Sequence, residues 1–520
     1  MKKWLEEQKT LIIILVITVI TVISISAMKY RGGEINYQNS DATWHTLLTM
    51  EAYGETPIRI HKFLPIVSLG SADDKFISWG GTIPDEYGNY YYTSFSPAGY
   101  VLPYLFVKLL GLPISEASLY YFNTALFVIS AVLWVILLDR VYLDNSNKGI
   151  LLLIGALTYI FSPELFHGMG IVYWHQSLMQ VTLLIQVLSY FLWKKDDSKH
   201  GKRIFWVMTL VNPYIEWTGY IANVGFAIME LFINRKDKLF KSWRNPVKIA
   251  VLSVGSFIIF SLHYLSVVST MDFLRALKNR FLDRSFSSTT RLADVFGGYI
   301  NSFLFLWLLL AILIVWNIAK SGKLEFKNRL LLFMTTFLIM ENIIMKQHAY
   351  SYTYDRMKMI FLLSLIICEF TNQILENIQQ GKRMVSVILC IITVSCCIGN
   401  ARFYLKSDQY IWSIDYRQNN EKLATYINEN YPNSILVTQA GVRGYLNLLF
   451  GRGIYEMKTI DSAITIAGDK GKDYAVEIVI GNDTTWNMYQ LAGAIVYEKS
   501  TGEYKYLELS DNGTILEEMY

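Results

Sequence analysis

The feature that most constrains this chain is a succession of apolar runs, each close to bilayer-spanning length. Runs near 11–29, 117–138, 149–165, 172–193, 249–270, 298–319, 330–345, 357–375 and 384–400 approach the ~20 residues a helix needs to cross ~30 Å of hydrocarbon. A further apolar region, 204–233, is interrupted by Asn212-Pro213-Tyr214-Ile215-Glu216-Trp217. At 1.5 Å per residue, Ile204 to Glu216 covers roughly 18 Å, too short for a span, so a hairpin of two short helices is expected there. The chain therefore reads as a polytopic α-helical membrane protein with about eleven transmembrane helices. Composition agrees, because 17% charged and 53% hydrophobic residues over 520 positions is too little charge for a soluble protein of this length. Leu11 to Met28 lacks a small-residue cleavage signature and reads as a retained span. The four cysteines (Cys368, Cys390, Cys396, Cys397) sit in apolar helical stretches with no metal or disulfide spacing, as buried thiols do.

Lysine and arginine placement sets the expected orientation. Residues 194–203, 234–248, 320–329 and 379–383 are short and basic, and with Lys2 and Lys3 they fall on one side, the cytoplasmic one. The loop 30–116, the segments 271–297 and 346–356, and everything after Ala401 then lie outside. This divides the chain into a transmembrane domain, 1–401, with a large external loop at 30–116, and an external soluble α/β domain, 402–520. In the tail a helix is expected over Asn419–Tyr431. Strands are expected at Ser434–Thr438, 475–480, 493–498 and 503–509, with a hairpin turn at Ser500-Thr501-Gly502. The setting implied is a multi-pass plasma membrane protein, bacterial by preference, with its N-terminus in the cytoplasm.

Candidate chemistry gathers on the outer side. Asn39 or Ser40 is a good helix N-cap, and Trp44, Leu47, Leu48 and Met50 follow at helical spacing. On that helix Asp41, His45 and Thr49 share a polar face, so an acid is fixed at the bilayer surface; the plainer alternative is that Asp41 only complements the helix dipole. Segment 271–297 carries Arg275, Lys278, Arg280, Arg284 and Arg291 against the insertion bias. Either an anionic ligand such as a lipid phosphate compensates them, or Asp272, Asp283 and Asp294 pair with them on a solvated helix. Glu216 at the broken hairpin and Glu341 in its apolar helix either line a cavity or are hydrogen-bonded core acids. Glu164, His167 and His175 in the turn at 161–176, and His348 near Tyr354, Asp355 and Arg356, also fall on the outer side. Such a His/Asp/Glu set permits a divalent metal without specifying one. His61 reads as a surface histidine. No HExxH, GxSxG, P-loop or dinucleotide fingerprint is present, which removes the usual support for zinc-protease, serine-hydrolase and nucleotide chemistry.

This pattern resembles the GT-C superfamily of integral-membrane glycosyltransferases, which use polyprenyl-phosphate-linked sugar donors, as dolichyl-phosphate-mannose and aminoarabinose transferases do. The resemblance rests on one span leading into a long external loop with an early acid (Ser40-Asp41-Ala42). That loop closes on an aromatic Pro/Gly stretch (Tyr92-Thr93-Ser94-Phe95-Ser96-Pro97-Ala98-Gly99-Tyr100). A second external turn carries Glu164, and a soluble tail follows. The resemblance implies sugar transfer from a polyprenyl-phosphate or polyprenyl-diphosphate donor to a glycan, lipid or protein acceptor on the outer face, with the bilayer as partner and no nucleic acid. It assigns catalysis to Asp41 as general base, with Glu164 as a second acid by position. Arg280, Arg284, Arg291, His348 and Arg356 would bind donor phosphate, and His45, Tyr92, Glu216 and Glu341 would line the cavity. Many relatives pair two acids in the first loop, whereas here Asp41 is followed by Ala42-Thr43. That favours a metal-independent site, with Mg²⁺ or Mn²⁺ as the alternative. Two other function classes fit less of the chain: an envelope-polysaccharide polymerase or ligase, and a transporter or flippase coupled through Glu216 and Glu341.

Overall fold

The computed structural model describes residues 2–31, 41–72, 75–77, 81–169, 173–233, 239–285, 289–321, 337, 339–378, 380–406, 415–441, 444–481 and 490–519. The chain forms two compact units. The first comprises Met1–Ile35, Tyr120–Ser261 and Leu282–Tyr410; the second comprises Asn36–Leu119, Leu262–Phe281 and Ile411–Tyr520. Among the described residues six helices are long and apolar enough to cross a membrane: Gln8–Lys29, Glu116–Val141, His175–Asp196, Trp243–Leu265, Met359–Glu376 and Lys382–Lys406. A bent pair, Leu292–Phe303 and Phe305–Lys320, turns through 89° and makes a seventh if counted as one span. Half of the run expected near 330–345 lies outside the described residues.

The secondary-structure elements described in the first unit are all helical, and buried amides draw its helices together. The broken hairpin forms as Lys199–Ile215 and Thr218–Ile233, with Glu216 in extended backbone between them. Asn212 on the first arm donates to Gln186 Oε1 at 2.7 Å, and Gln186 donates to Asn223 Oδ1 on the second arm at 2.8 Å. Asn223 in turn donates to Thr209 O at 2.8 Å and to Ser253 Oγ at 2.9 Å. Amides in an apolar bundle are costly unless satisfied, so this ladder fixes the helix register. Gly219 lets the arms meet, because a Cβ there would stand 2.3 Å from the Asn212 carbonyl carbon.

The second unit is built from three separated stretches. The first loop contributes the Asp41–Glu55 helix and a small hairpin in which β1 (Thr82–Pro84) pairs antiparallel with β2 (Tyr90–Tyr92). The tail contributes β3 (Ser434–Thr438), β4 (Tyr455–Glu456), β5 (Tyr474–Ile480), β6 (Leu491–Glu498), β7 (Glu503–Leu509) and β8 (Ile515–Met519), in one sheet of order β4-β3-β5-β6-β7-β8. Strand β3 runs parallel to β4 and β5, and the remaining pairings are antiparallel. Ile435, Val437 and Ala475 from the sheet close a core with Ala463 and Ala467 of the Ile460–Asp469 helix. The tail helix runs Asp415–Asn430, and β8 was not foreseen, since its Glu517 and Glu518 mask any apolar alternation. Aromatic contacts join loop to tail: Trp44 lies 5.2 Å from Tyr445, and Phe76 stacks on Tyr455 at 4.1 Å. His61 is a correction to the sequence reading, because it is buried and not at the surface. Its ring stacks on Tyr53 at 4.7 Å, and Nδ1 accepts the Phe63 N–H at 2.9 Å. Burial holds its pKa down to about 4, so the ring stays neutral and can accept that bond.

Because the Gly219 contact is with backbone, Gly219→Ala is expected to destabilise the bundle by about 1–3 kcal/mol. Thermal unfolding of the detergent-solubilised protein measures it. A variant that melts with the wild type would mean that the two arms are not tightly crossed.

Candidate functional site

In the first unit the site grows from a short turn, Thr353–Arg356, set between the Lys346–Ser351 helix and the Met359–Glu376 helix. Asp355, Arg356 and Lys358 are all buried. A buried charge must be paired and hydrogen-bonded, and each of these is met from a different helix. Asp355 accepts from His348 Nδ1 and from Gln176 Nε2. Arg356 donates Nη2 to Glu164 Oε1 at 3.2 Å, Nε to Ser302 Oγ at 2.8 Å and Nη1 to the Ala349 carbonyl at 2.5 Å. Lys358 Nζ donates to Glu341 Oε2 at 2.8 Å and to Thr218 Oγ1 at 3.0 Å.

Glu164 opens the Pro163–Gly168 helix, whose N-cap Ser162 accepts the Leu165 N–H at 3.3 Å. The Ser302 hydroxyl bridges Arg356 and the Glu164 carboxylate. Burial pushes the Glu164 carboxyl above the usual range, and the Arg356 guanidinium opposes that shift. Gly298 leaves room for the guanidinium, since a Cβ there would stand 3.0 Å from Arg356 Nη1. Glu216 is buried, and its Oε2 accepts the Thr218 N–H at 3.0 Å, capping the second arm of the hairpin. Glu341 accepts the Thr218 hydroxyl as well as Lys358. Both acids are thus hydrogen-bonded groups in the packed interior, meeting at Thr218. Sequence reasoning singled out Glu164, Glu341, His348 and Arg356 but missed Lys358, Thr218, Ser302 and Gly298. Lys358 alone carried a signal, as a cation at the mouth of an apolar run.

The second unit brings another set together. The His45 ring meets the Tyr92 ring edge-on at 4.5 Å and lies 5.5 Å from that of Tyr100. Arg280 donates Nη2 to the Tyr92 hydroxyl at 3.1 Å and Nε to Ser94 Oγ at 3.0 Å. The buried Tyr264 hydroxyl lies 2.8 Å from the Tyr92 carbonyl and 2.7 Å from the Phe95 carbonyl, which pins the aromatic stretch under Arg280. Asp41 begins the helix that carries His45, but its side chain lies outside the described residues, as does that of His167. Of the remaining arginines, Arg284 and Arg291 belong to the first unit, and Arg284 is buried near the end of the Thr270–Ser285 helix. Arg291 is exposed and paired with Asp294 at 3.0 Å, and Arg275 approaches Asp272 at 3.6 Å. Arginine and aspartate thus pair on the surface at these two positions. Among the described residues no three His, Cys, Asp or Glu side chains stand together as metal ligands do.

Apolar spans, a broken hairpin, a first-loop helix and a mixed-sheet tail domain make up a fold that the chain shares with solved structures of ArnT and of an archaeal oligosaccharyltransferase. The crystal structure of ArnT from Cupriavidus metallidurans bound to undecaprenyl phosphate aligns with a TM-score of 0.55 and 10% identity, covering 89% of this chain and 92% of that one. The apo form of the same protein aligns with 0.55 and 10%, over 92% and 97%. The Archaeoglobus fulgidus oligosaccharyltransferase in its apo form aligns with 0.55 and 11%, over 91% and 70%. No family model matches the chain, and no characterised protein matches it in sequence. At such identities the likeness is one of fold.

Removing one partner of a buried ion pair strands the other, so Arg356→Met is expected to cost about 3–5 kcal/mol at neutral pH. A raised acid pKa favours the neutral form in the fold. Without Arg356 the Glu164 pKa rises further, so the cost shrinks as pH falls and Glu164 takes up a proton. Thermal melts of Arg356→Met across a pH series read this out, with Arg356→Met/Glu164→Gln expected to regain much of the loss. A loss of equal size at every pH would exclude a charged Glu164 as its cause.

Proposed function

We propose that this chain is a GT-C-type glycosyltransferase that moves a sugar from a polyprenyl-phosphate- or polyprenyl-diphosphate-linked donor to an acceptor on the outer face of the membrane. The observation that carries the reading is the alignment of about nine-tenths of this chain with nearly the full length of ArnT, whose structure holds undecaprenyl phosphate. In this reading an acceptor nucleophile attacks the anomeric carbon, and the bond from that carbon to the phosphate oxygen breaks. The lipid phosphate departs with the bonding electrons, while Asp41 takes the acceptor's proton. Asp41 stands one helical turn before His45, on the element that faces Tyr92 and Tyr100, which supports placing the general base there. Arg280, steadied by Tyr92 and Ser94, is the cation proposed to meet the phosphate's growing charge. The buried Glu164–Arg356 pair is assigned to holding the first unit's helices in register, because Arg356 already donates to Glu164, Ser302 and Ala349.

The reading needs no metal, since Asp41 lacks an adjacent second acid; activity that survives EDTA supports it, and activity restored only by Mg²⁺ or Mn²⁺ assigns one. The direct test is to incubate the purified protein with a panel of polyprenyl-phosphate sugars and measure release of polyprenyl phosphate. Asp41→Asn is expected to slow transfer by about 10²–10⁴-fold, and Arg280→Met by about 10²-fold or more. Full activity in Asp41→Asn would remove the proposed general base.

A further inference from the structure

The Thr270–Ser285 helix has two faces with different tasks. Its inner row is anchored: Phe273 is buried and stacks on Tyr264 at 5.4 Å, and Arg280 donates to Tyr92 and Ser94. Its outer row is apolar. Met271 is 70% exposed, Leu274 54% and Phe281 45%, at helical spacing along one stripe. Lys278 falls within that same stripe, and Arg275 lies beside it, part-matched by Asp272 at 3.6 Å. Exposed apolar side chains in one row, with a lysine among them, suit a helix lying in a membrane interface. The apolar residues enter the acyl boundary, and the lysine stem reaches back to the headgroups.

We propose that the Thr270–Ser285 helix docks on an anionic bilayer surface, with Met271, Leu274 and Phe281 inserted among the lipids and Lys278 bound to their phosphate headgroups. Docking would set the height of Arg280 on the opposite row relative to the membrane. The inference is independent of sugar transfer and rests on the helix alone.

Leu274→Cys, made in a chain with the half-buried Cys390 changed to Ala, is labelled with an environment-sensitive nitrobenzoxadiazole dye. The full-length protein is placed in nanodiscs of phosphatidylcholine or phosphatidylglycerol. The expected result is blue-shifted emission quenched by shallow doxyl lipids, more strongly in phosphatidylglycerol. Lys278→Gln is expected to lower the docked-to-undocked ratio in phosphatidylglycerol by about fivefold, the effect of one basic charge near an anionic surface. Water-like emission insensitive to doxyl lipid overturns docking, and equal quenching in the two lipids overturns its anionic preference. Because Leu274 and Lys278 lie on the exposed side, neither substitution threatens the fold.

Discussion

The membrane unit depends on the pairing of three buried charges within four residues. Asp355, Arg356 and Lys358 leave one short turn and are met by His348 and Gln176, by Glu164 and Ser302, and by Glu341 and Thr218. Their partners lie on separate helices, so a single turn ties most of the bundle together. Desolvating such ions costs several kcal/mol each, and the pairing roughly offsets that cost, so the net gain is in specificity of arrangement more than in stability. A helix that slid by one turn would strand a charge. The turn therefore selects one packing among the many that apolar helices allow.

The second unit solves a different problem, which is to hold an aromatic loop in a fixed shape beside an arginine. Backbone carbonyls at Tyr92 and Phe95 converge on one tyrosine hydroxyl, and the Tyr92 ring and hydroxyl then serve His45 and Arg280. His45 comes from the same loop as Tyr92, whereas Tyr264 and Arg280 come from the separate stretch 262–281. Stacking of Phe76 on Tyr455 and of Trp44 near Tyr445 makes the loop and the tail one body. The tail sheet is thus the support against which the first loop is ordered.

Much of this was legible in advance where local chemistry decides. Ser434–Thr438 and 503–509 form strands over the expected residues because alternating and β-branched side chains between turns leave few other choices. The interruption of 204–233 is legible in Asn212-Pro213, yet the helix runs through Pro213 to Ile215 before Glu216 breaks it, with the Thr209 carbonyl that the proline cannot bond accepting from Asn223 instead. The candidate site was half legible. Glu164, Glu341, His348 and Arg356 stand out as ionisable groups near apolar runs, but Ser302 and Gly298 beside Arg356, and Thr218 beside Glu341, are common residues whose role exists only once two helices meet. His61 was misread for a related reason: flanked by Ile60 and Lys62 it looks solvated, yet Tyr53 and Phe63 bury it.

The sequence by itself determined that this is a polytopic membrane protein with a broken helical hairpin, an acid at the head of its first-loop helix and a mixed α/β tail. Span length, proline and side-chain periodicity are properties of contiguous residues, and they act before any long-range contact forms. Only the tertiary structure decided which charges pair, that Glu216 and Glu341 meet at Thr218, and that the first loop, residues 262–281 and the tail fold as one unit. Those outcomes turn on contacts between residues far apart in the chain, where burial forces each charge and amide to find whichever partner the packing brings within reach.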